Sequence, residues 1–203
     1  MNSFHLHYTA EAAALEAALR TDPFYATMER SVQGTHQQQR EAMVRYMDYS
    51  MQEGNRYGAL TLVPGIAGAA VWSRPMSPSM AIQCKQEKHA FLQSWMGESS
   101  LQTYMRIVDF MSSQLTGNVD EGAWYLSILG LSPEQQGRQL GQQLIQPILA
   151  EADAEGVHTF LETFVARNKS FYQRLGFAEK AILHEPVTNS PYWLMVRSPQ
   201  VKQ

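Results

Sequence analysis

The chain has 203 residues, of which 44% are hydrophobic and 17% charged, enough apolar side chain for one sizeable core. This composition excludes intrinsic disorder, a disulfide scaffold and a collagen-like polymer. Sixteen Lys and Arg against nineteen Asp and Glu give a net charge of -3, the wrong balance for neutralising a phosphate track, so no nucleic-acid partner is expected. A lone cysteine, Cys84, can make neither an intrachain disulfide nor a thiolate zinc site, and it reads as a buried thiol. With no basic-then-apolar leader and no apolar run of about 20 residues, the expectation is a cytoplasmic protein without a membrane partner.

In chain order, residues 4–8 alternate weakly and predict a short first strand. Residues 10–30 have helical periodicity, with Leu15, Ala18 and Leu19 on one face. Asp22-Pro23 interrupts that stretch, giving two helices or one kinked helix. A helix is predicted over 35–53, where Met43, Tyr46, Met47 and Ser50 share a face, with Gly54-Asn55 as its end. Residues 57–63 and 68–72 read as a hairpin turning at Pro64-Gly65. Pro75 and Pro78 break the pattern, and 85–115 is helical again with a split near Gly97.

Residues 124–131 predict a buried strand, 138–155 a helix closing on Gly156, and 159–164 a second strand. A short helix over 168–175 and strands over 177–183 and 191–196 follow. Strand, helix and strand in so few residues imply a parallel pair joined by a crossover. The expected fold is a mixed α/β domain spanning 1–203, with a twisted sheet of six or seven strands and helices on both faces.

The segment with the most chemical content runs from Leu129 to Gln142: a strand end, a turn, then a helix start. Gly137 and Gly141 let backbone approach a ligand closely. The first N–H groups of a helix lack internal partners and carry the positive end of the macrodipole, which suits a pyrophosphate. Arg138 adds a cation. A P-loop is excluded because Gly141 is followed by Gln142 rather than Lys, and the glycine spacing differs from a dinucleotide fingerprint. A plain strand–helix turn with packing glycines gives the same pattern.

The two motifs of this last third together resemble the GCN5-related N-acetyltransferase superfamily. Gln136 and Gly141 match the ends of its Gln/Arg-x-x-Gly-x-Gly/Ala cofactor loop, with Gln139 where the internal glycine is expected. Asn168 to Phe177, N-K-S-F-Y-Q-R-L-G-F, resembles its N-x-x-F-Y-x-x-x-G-F segment. Phe160–Thr163, Arg167 and Pro147 resemble the puromycin N-acetyltransferase branch within it. The likeness covers about residues 122–198.

The resemblance implies acetyl transfer from acetyl-coenzyme A to a primary amine, directly and without a metal. It implies that 121–198 hold the cofactor and that 1–120 shape the acceptor pocket. Pantetheine would lie along Leu129, Gly130 and Leu131. The pyrophosphate would sit on Gln136, Gly137, Arg138, Gln139, Leu140, Gly141 and Gln142, with Asn168, Phe171 and Tyr172 beside the thioester. Tyr172 is the expected general acid and Glu162 the expected base. The acidic balance favours a cationic small-molecule amine, and a homodimer is compatible with the sequence. Two other readings stay open: a protein N-terminal or lysine acetyltransferase, and a non-catalytic coenzyme A-binding protein, which Gln139 motivates. His5 and His7 share a face, but no further metal ligands accompany them.

Overall fold

Asp22-Pro23 divides the first helical stretch into α1 (Thr9–Leu19) and α2 (Pro23–Ser31) in the computed structural model, which describes residues 4–200. Pro23 occupies the first turn of α2, where a missing N–H costs nothing. The Asp22 carboxylate caps that helix, accepting the Phe24 N–H at 2.9 Å. The strand expected over 4–8 is not formed. Instead, the N–H groups of His7 and Tyr8 both donate to Asp48 Oδ1, at 2.9 and 2.6 Å, so a side chain satisfies this backbone and no strand neighbour is needed.

α3 (His36–Tyr57) opens with a capping box between Thr35 and Gln38. It passes through Gly54, where the sequence predicts a stop. A Cβ there would lie 2.5 Å from Val71 Cγ1, so Gly54 is a close-packing glycine rather than a helix terminator. β1 (Gly58–Thr61) and β2 (Gly68–Ser73) form the expected antiparallel hairpin. α4 (Pro78–Trp95) begins seven residues earlier than expected, because Pro78 sits in its first turn and Ser77 caps it. α5 (Glu98–Ser113) follows after Gly97.

The second half matches its predicted elements closely: β3 (Trp124–Leu131), α6 (Leu140–Glu155), β4 (Thr159–Thr163), α7 (Lys169–Arg174), β5 (Ala178–Glu185) and β6 (Ser190–Arg197). The six-stranded sheet has the order β1-β2-β3-β4-β6-β5. β3 and β4 are parallel and joined through α6, while every other pair is antiparallel.

Period-two alternation assigns the sheet faces, except that an extra residue at Ser127 puts Leu126 and Ile128 on opposite faces of β3. Ala69, Val71 and Ile128 pack in one cluster with Ala12 and Leu15 of α1 and Met43, Met47 and Met51 of α3. Ala70, Trp72, Leu126 and Leu161 face the other way, against Leu144, Ile145, Ile148 and Leu149 of α6. Each such aliphatic side chain contributes about 1.5–3 kcal/mol by burial. On the C-terminal strand, Arg197 is buried and forms a two-pronged ion pair with Asp153 of α6, at 2.7 and 2.8 Å.

Candidate active site

The two parallel strands part in mid-sheet. Pairing runs through Trp124↔Thr159, Tyr125↔Phe160 and Leu126↔Leu161 and then stops, although β3 continues to Leu131 and β4 to Thr163. On its other edge β3 carries a bulge. Val71 pairs with Ile128 and Trp72 with Leu126, leaving Ser127 as the extra residue, whose hydroxyl donates to the Val71 carbonyl at 3.0 Å. A bulge sharpens local twist, which turns the end of β3 away from β4. The result is a wedge with backbone of β3 unpaired on the β4 side.

A cavity of ≈ 380 Å³ opens from this wedge. Glu162 projects from β4, and its Oε1 is buried without a hydrogen-bond partner among the described residues. Burial pushes its carboxyl up to about 7, and a hydrogen bond from the Tyr125 hydroxyl opposes that rise. Burial raises Tyr125 well above the ordinary phenol, with the Glu162 charge adding to it, so this hydroxyl acts as a donor.

Tyr172 of α7 lines the same cavity, one turn beyond Asn168, which also lines it. The Tyr172 ring packs edge-on against Phe171 and Phe177, with centroids 5.2 and 6.0 Å away, so it belongs both to the core and to the cavity wall. Burial, and then the charge of Asp22, push its phenol upward.

The turn after β3 brings the loop residues together as the sequence anticipates. The Gln136 side chain donates to the Leu131 carbonyl at 3.0 Å, tying the loop back to the strand end. Gly137 has φ +76, and Gln139, which caps α6, has φ +60. That left-handed conformation is where a glycine costs nothing and another residue about 1–2 kcal/mol. Gln139 therefore takes, at the position where the motif's glycine is missing, a conformation that glycine adopts without cost. Arg138 and Gln142 are exposed beside the first turn of α6, where the Gln142 N–H donates to the Gln139 carbonyl at 3.2 Å.

Six of the expected cofactor residues are also packed into the fold. A Cβ on Gly141 would touch the Phe171 ring at 3.4 Å, so Gly141 and Phe171 lock the start of α6 against α7. A Cβ on Gly130 would lie 2.7 Å from Leu15 Cδ2, which makes this glycine the seat of α1 on the sheet. Leu129 and Leu131 are half-buried on β3 beyond the last β4 pairing, and Leu140 is half-buried at the start of α6.

Sequence reasoning missed the N-terminal wall. Asp22, read only as half of a helix breaker, lines the cavity, and burial lifts its carboxyl to about 6 against hydrogen bonds from the Phe24 and Tyr25 N–H groups. Lys88, Glu53 and Tyr104 line it too, from three helices that meet only in the folded chain. The dipeptide Asp-Pro was the one local signal available for any of them.

Cys84, expected to be a buried thiol, is half-buried on the cavity wall, where it donates to Glu53 Oε1 at 3.6 Å and burial pushes its thiol up to about 11. The His5 and His7 rings lie 5.5 Å apart, and among the described residues no group of three or more metal-ligating side chains occurs. No helix among these residues is long and apolar enough to cross a membrane.

Residues 70–177 match the acetyltransferase (GNAT) family. The chain is 23% identical over 208 residues to an uncharacterized N-acetyltransferase of Schizosaccharomyces pombe, covering 96% of this chain and 81% of that one. Among solved structures, a Corynebacterium glutamicum protein described as histone acetyltransferase HPA2 and related acetyltransferase aligns over 100% of this chain and 97% of its own, with TM-score 0.64 and 16% identity. Arylalkylamine N-acetyltransferase 2 from Aedes aegypti aligns over 98% of each chain with TM-score 0.60 and 14% identity. A polyamine N-acetyltransferase of Drosophila melanogaster aligns over 94% and 96% with TM-score 0.53 and 12% identity. At these identities the likeness is one of fold.

Proposed function

The chain belongs to the acetyltransferase (GNAT) family, and from that premise we propose that it transfers the acetyl group of acetyl-coenzyme A to a primary amine of a small molecule, directly within a ternary complex. The observation that carries this reading is Glu162: a buried carboxyl with an unpartnered oxygen, facing a cavity at the parting of β3 and β4. A base held near 7 by its surroundings accepts a proton at neutral pH without being permanently spent on one.

The residues present fit the cosubstrate. The parted edge of β3 at Leu129, Gly130 and Leu131 offers unpaired backbone to an amide-bearing chain. The turn from Gln136 to Gln142 offers first-turn N–H groups of α6 to phosphates, and open space surrounds Gly137. When bound, acetyl-coenzyme A supplies an acyl group activated as a thioester.

The protein's part is positioning and proton handling. Glu162 takes the amine proton, and Tyr125 donates to Glu162 and fixes its direction. Tyr172, kept protonated by burial, holds a proton where a leaving thiolate needs one. Asn168, one turn away on the same face, orients the donor beside it.

Walls contributed by the α1–α2 turn and by α3, α4 and α5 favour a small acceptor over a protein surface, which would need an open groove. The stretch resembling puromycin N-acetyltransferases agrees with that. Calorimetric titration with acetyl-coenzyme A, followed by thiol release across a panel of amines, tests the assignment. Micromolar binding, about -8 kcal/mol, with turnover on small amines is expected. Binding without turnover on any amine would instead support a coenzyme A-binding protein, and turnover only on peptides would support a protein acetyltransferase.

A further inference from the structure

Where α3, α4 and α5 form the cavity wall, one buried cation stands among aromatic rings. Lys88 of α4 is 5% exposed. Its Nζ donates to Ser50 Oγ and to Glu53 Oε2, both at 3.1 Å. It lies 4.8, 4.9 and 5.9 Å from the ring centroids of Tyr46, Tyr49 and Tyr104. Burial by itself pulls the ammonium down, but Glu53, Tyr104 and Cys84 together outweigh it, so Lys88 stays charged.

The hydrogen-bonding valences at this site are unequal. Both oxygens of Glu53 are engaged, Oε2 by Lys88 and Oε1 by the Cys84 thiol. The ammonium has three N–H groups and two hydrogen-bond acceptors. The Tyr104 hydroxyl has no hydrogen-bond partner among the described residues, and it lines the cavity beside Lys88. This wall therefore offers spare donors, while its carboxylate is already engaged at both oxygens. Stability alone does not account for the pair, since a buried ion pair is often no more stabilising than apolar residues of the same volume.

We propose that Lys88 is a specificity-determining residue that reads the far end of the acceptor. It takes an oxygen there, of a phenol, hydroxyl or carbonyl, and turns away a second ammonium. The acceptor class is then a monoamine with an aromatic or apolar body and a distal oxygen, rather than a diamine. Tyr25, Tyr46, Tyr104 and Phe160 line the space between as apolar walls. The assignment rests on the small-molecule amine reading above.

Tyramine, phenethylamine and agmatine are the probes, read by thiol release at saturating acetyl-coenzyme A and by calorimetric binding of each amine. A charge-assisted hydrogen bond makes tyramine about tenfold better than phenethylamine in kcat/KM, with agmatine below both. In Lys88→Met the tyramine advantage falls to about one, through KM, while agmatine improves. Because Lys88→Met strands Glu53, the double variant Lys88→Met with Glu53→Gln is measured beside it, and the same collapse is expected. Agmatine preferred by the wild type, or an unchanged tyramine advantage in a folded variant, overturns the role of Lys88. Calorimetry separates the two assignments. Discrimination in binding with no turnover of any amine refutes acetyl transfer and leaves Lys88 standing. Turnover without discrimination, or binding of none of the three, removes the Lys88 assignment.

Discussion

Glu162→Gln separates charge from shape at the floor of the cavity, and its effects on rate and on stability have opposite signs. Burial raises the Glu162 carboxyl from 4.5 to about 7, so the fold favours the protonated form. The stability gained from that preference is fully present below about pH 4.5 and is lost as pH rises through about 7. A change from 4.5 to about 7, at 1.36 kcal/mol per unit, amounts to about 3 kcal/mol. Glutamine keeps the shape and never ionises. The variant is therefore expected to exceed wild type by about 3 kcal/mol at pH 8.5 and by well under 1 kcal/mol at pH 4.5. Urea denaturation at the two pH values reads this directly, since the midpoint shifts while the slope holds. At pH 8 the same variant should lose about 100- to 10,000-fold in kcat/KM. Equal stabilisation at both pH values would refute a buried, raised carboxyl. Full activity would refute Glu162 as the base.

Further outcomes follow from the same geometry. Wild-type kcat/KM at fixed amine ionisation should rise with pH through about 7 as Glu162 loses its proton, and a profile flat from pH 5.5 to 8.5 would contradict this. Tyr172→Phe should keep acetyl-coenzyme A binding, measured by calorimetry, and lose rate, because the ring packing persists while the proton is gone. Gln139→Gly should stabilise the protein by about 0.5–1 kcal/mol in urea denaturation, the relief of φ +60 offset by added freedom in the unfolded chain, with the acetyl-coenzyme A Kd no higher than wild type. Weaker binding would show that the Gln139 side chain itself holds the cofactor. Arg197→Met should cost about 1–3 kcal/mol in urea denaturation, since it removes two charge-assisted donors to Asp153, which keeps the Gln200 N–H, and the donor to the Leu175 carbonyl at 2.9 Å. A loss under about 1 kcal/mol would show that the pair contributes little.

Residues 121–198 were legible because their signals are local. β3 spans the residues that its apolar run predicts, and α6 closes on Gly156 in the left-handed conformation that a helix-ending glycine adopts. Residues 1–120 were legible as elements but not as a cavity wall. Lys88 looks like any lysine in a helical pattern, and only the folded chain sets it against Ser50 and Glu53. Gly54 carried the sequence signature of a helix stop, yet its cause is contact with Val71, seventeen residues on. Pro78 likewise reads as a breaker until the helix is seen to start there. Residues 4–8 look strand-like because periodicity over five residues cannot reveal that Asp48 takes their N–H groups.

The place of β6 in the sheet has a consequence for how the molecule is made. The last strand, Ser190–Arg197, is inserted between β4 and β5, and Glu162 pairs across from Leu194. During synthesis, the strand that carries the proposed base thus has no neighbour on that side until Ser190–Arg197 has left the ribosome. The N-terminal hairpin and its helices can form early, but β4 waits on a partner some thirty residues downstream. A nascent chain arrested before Ser190 should hold an N-terminal layer resistant to protease and a β4 region that is cut readily. Competence for transfer then arrives as one late event, when β6 slides into its slot.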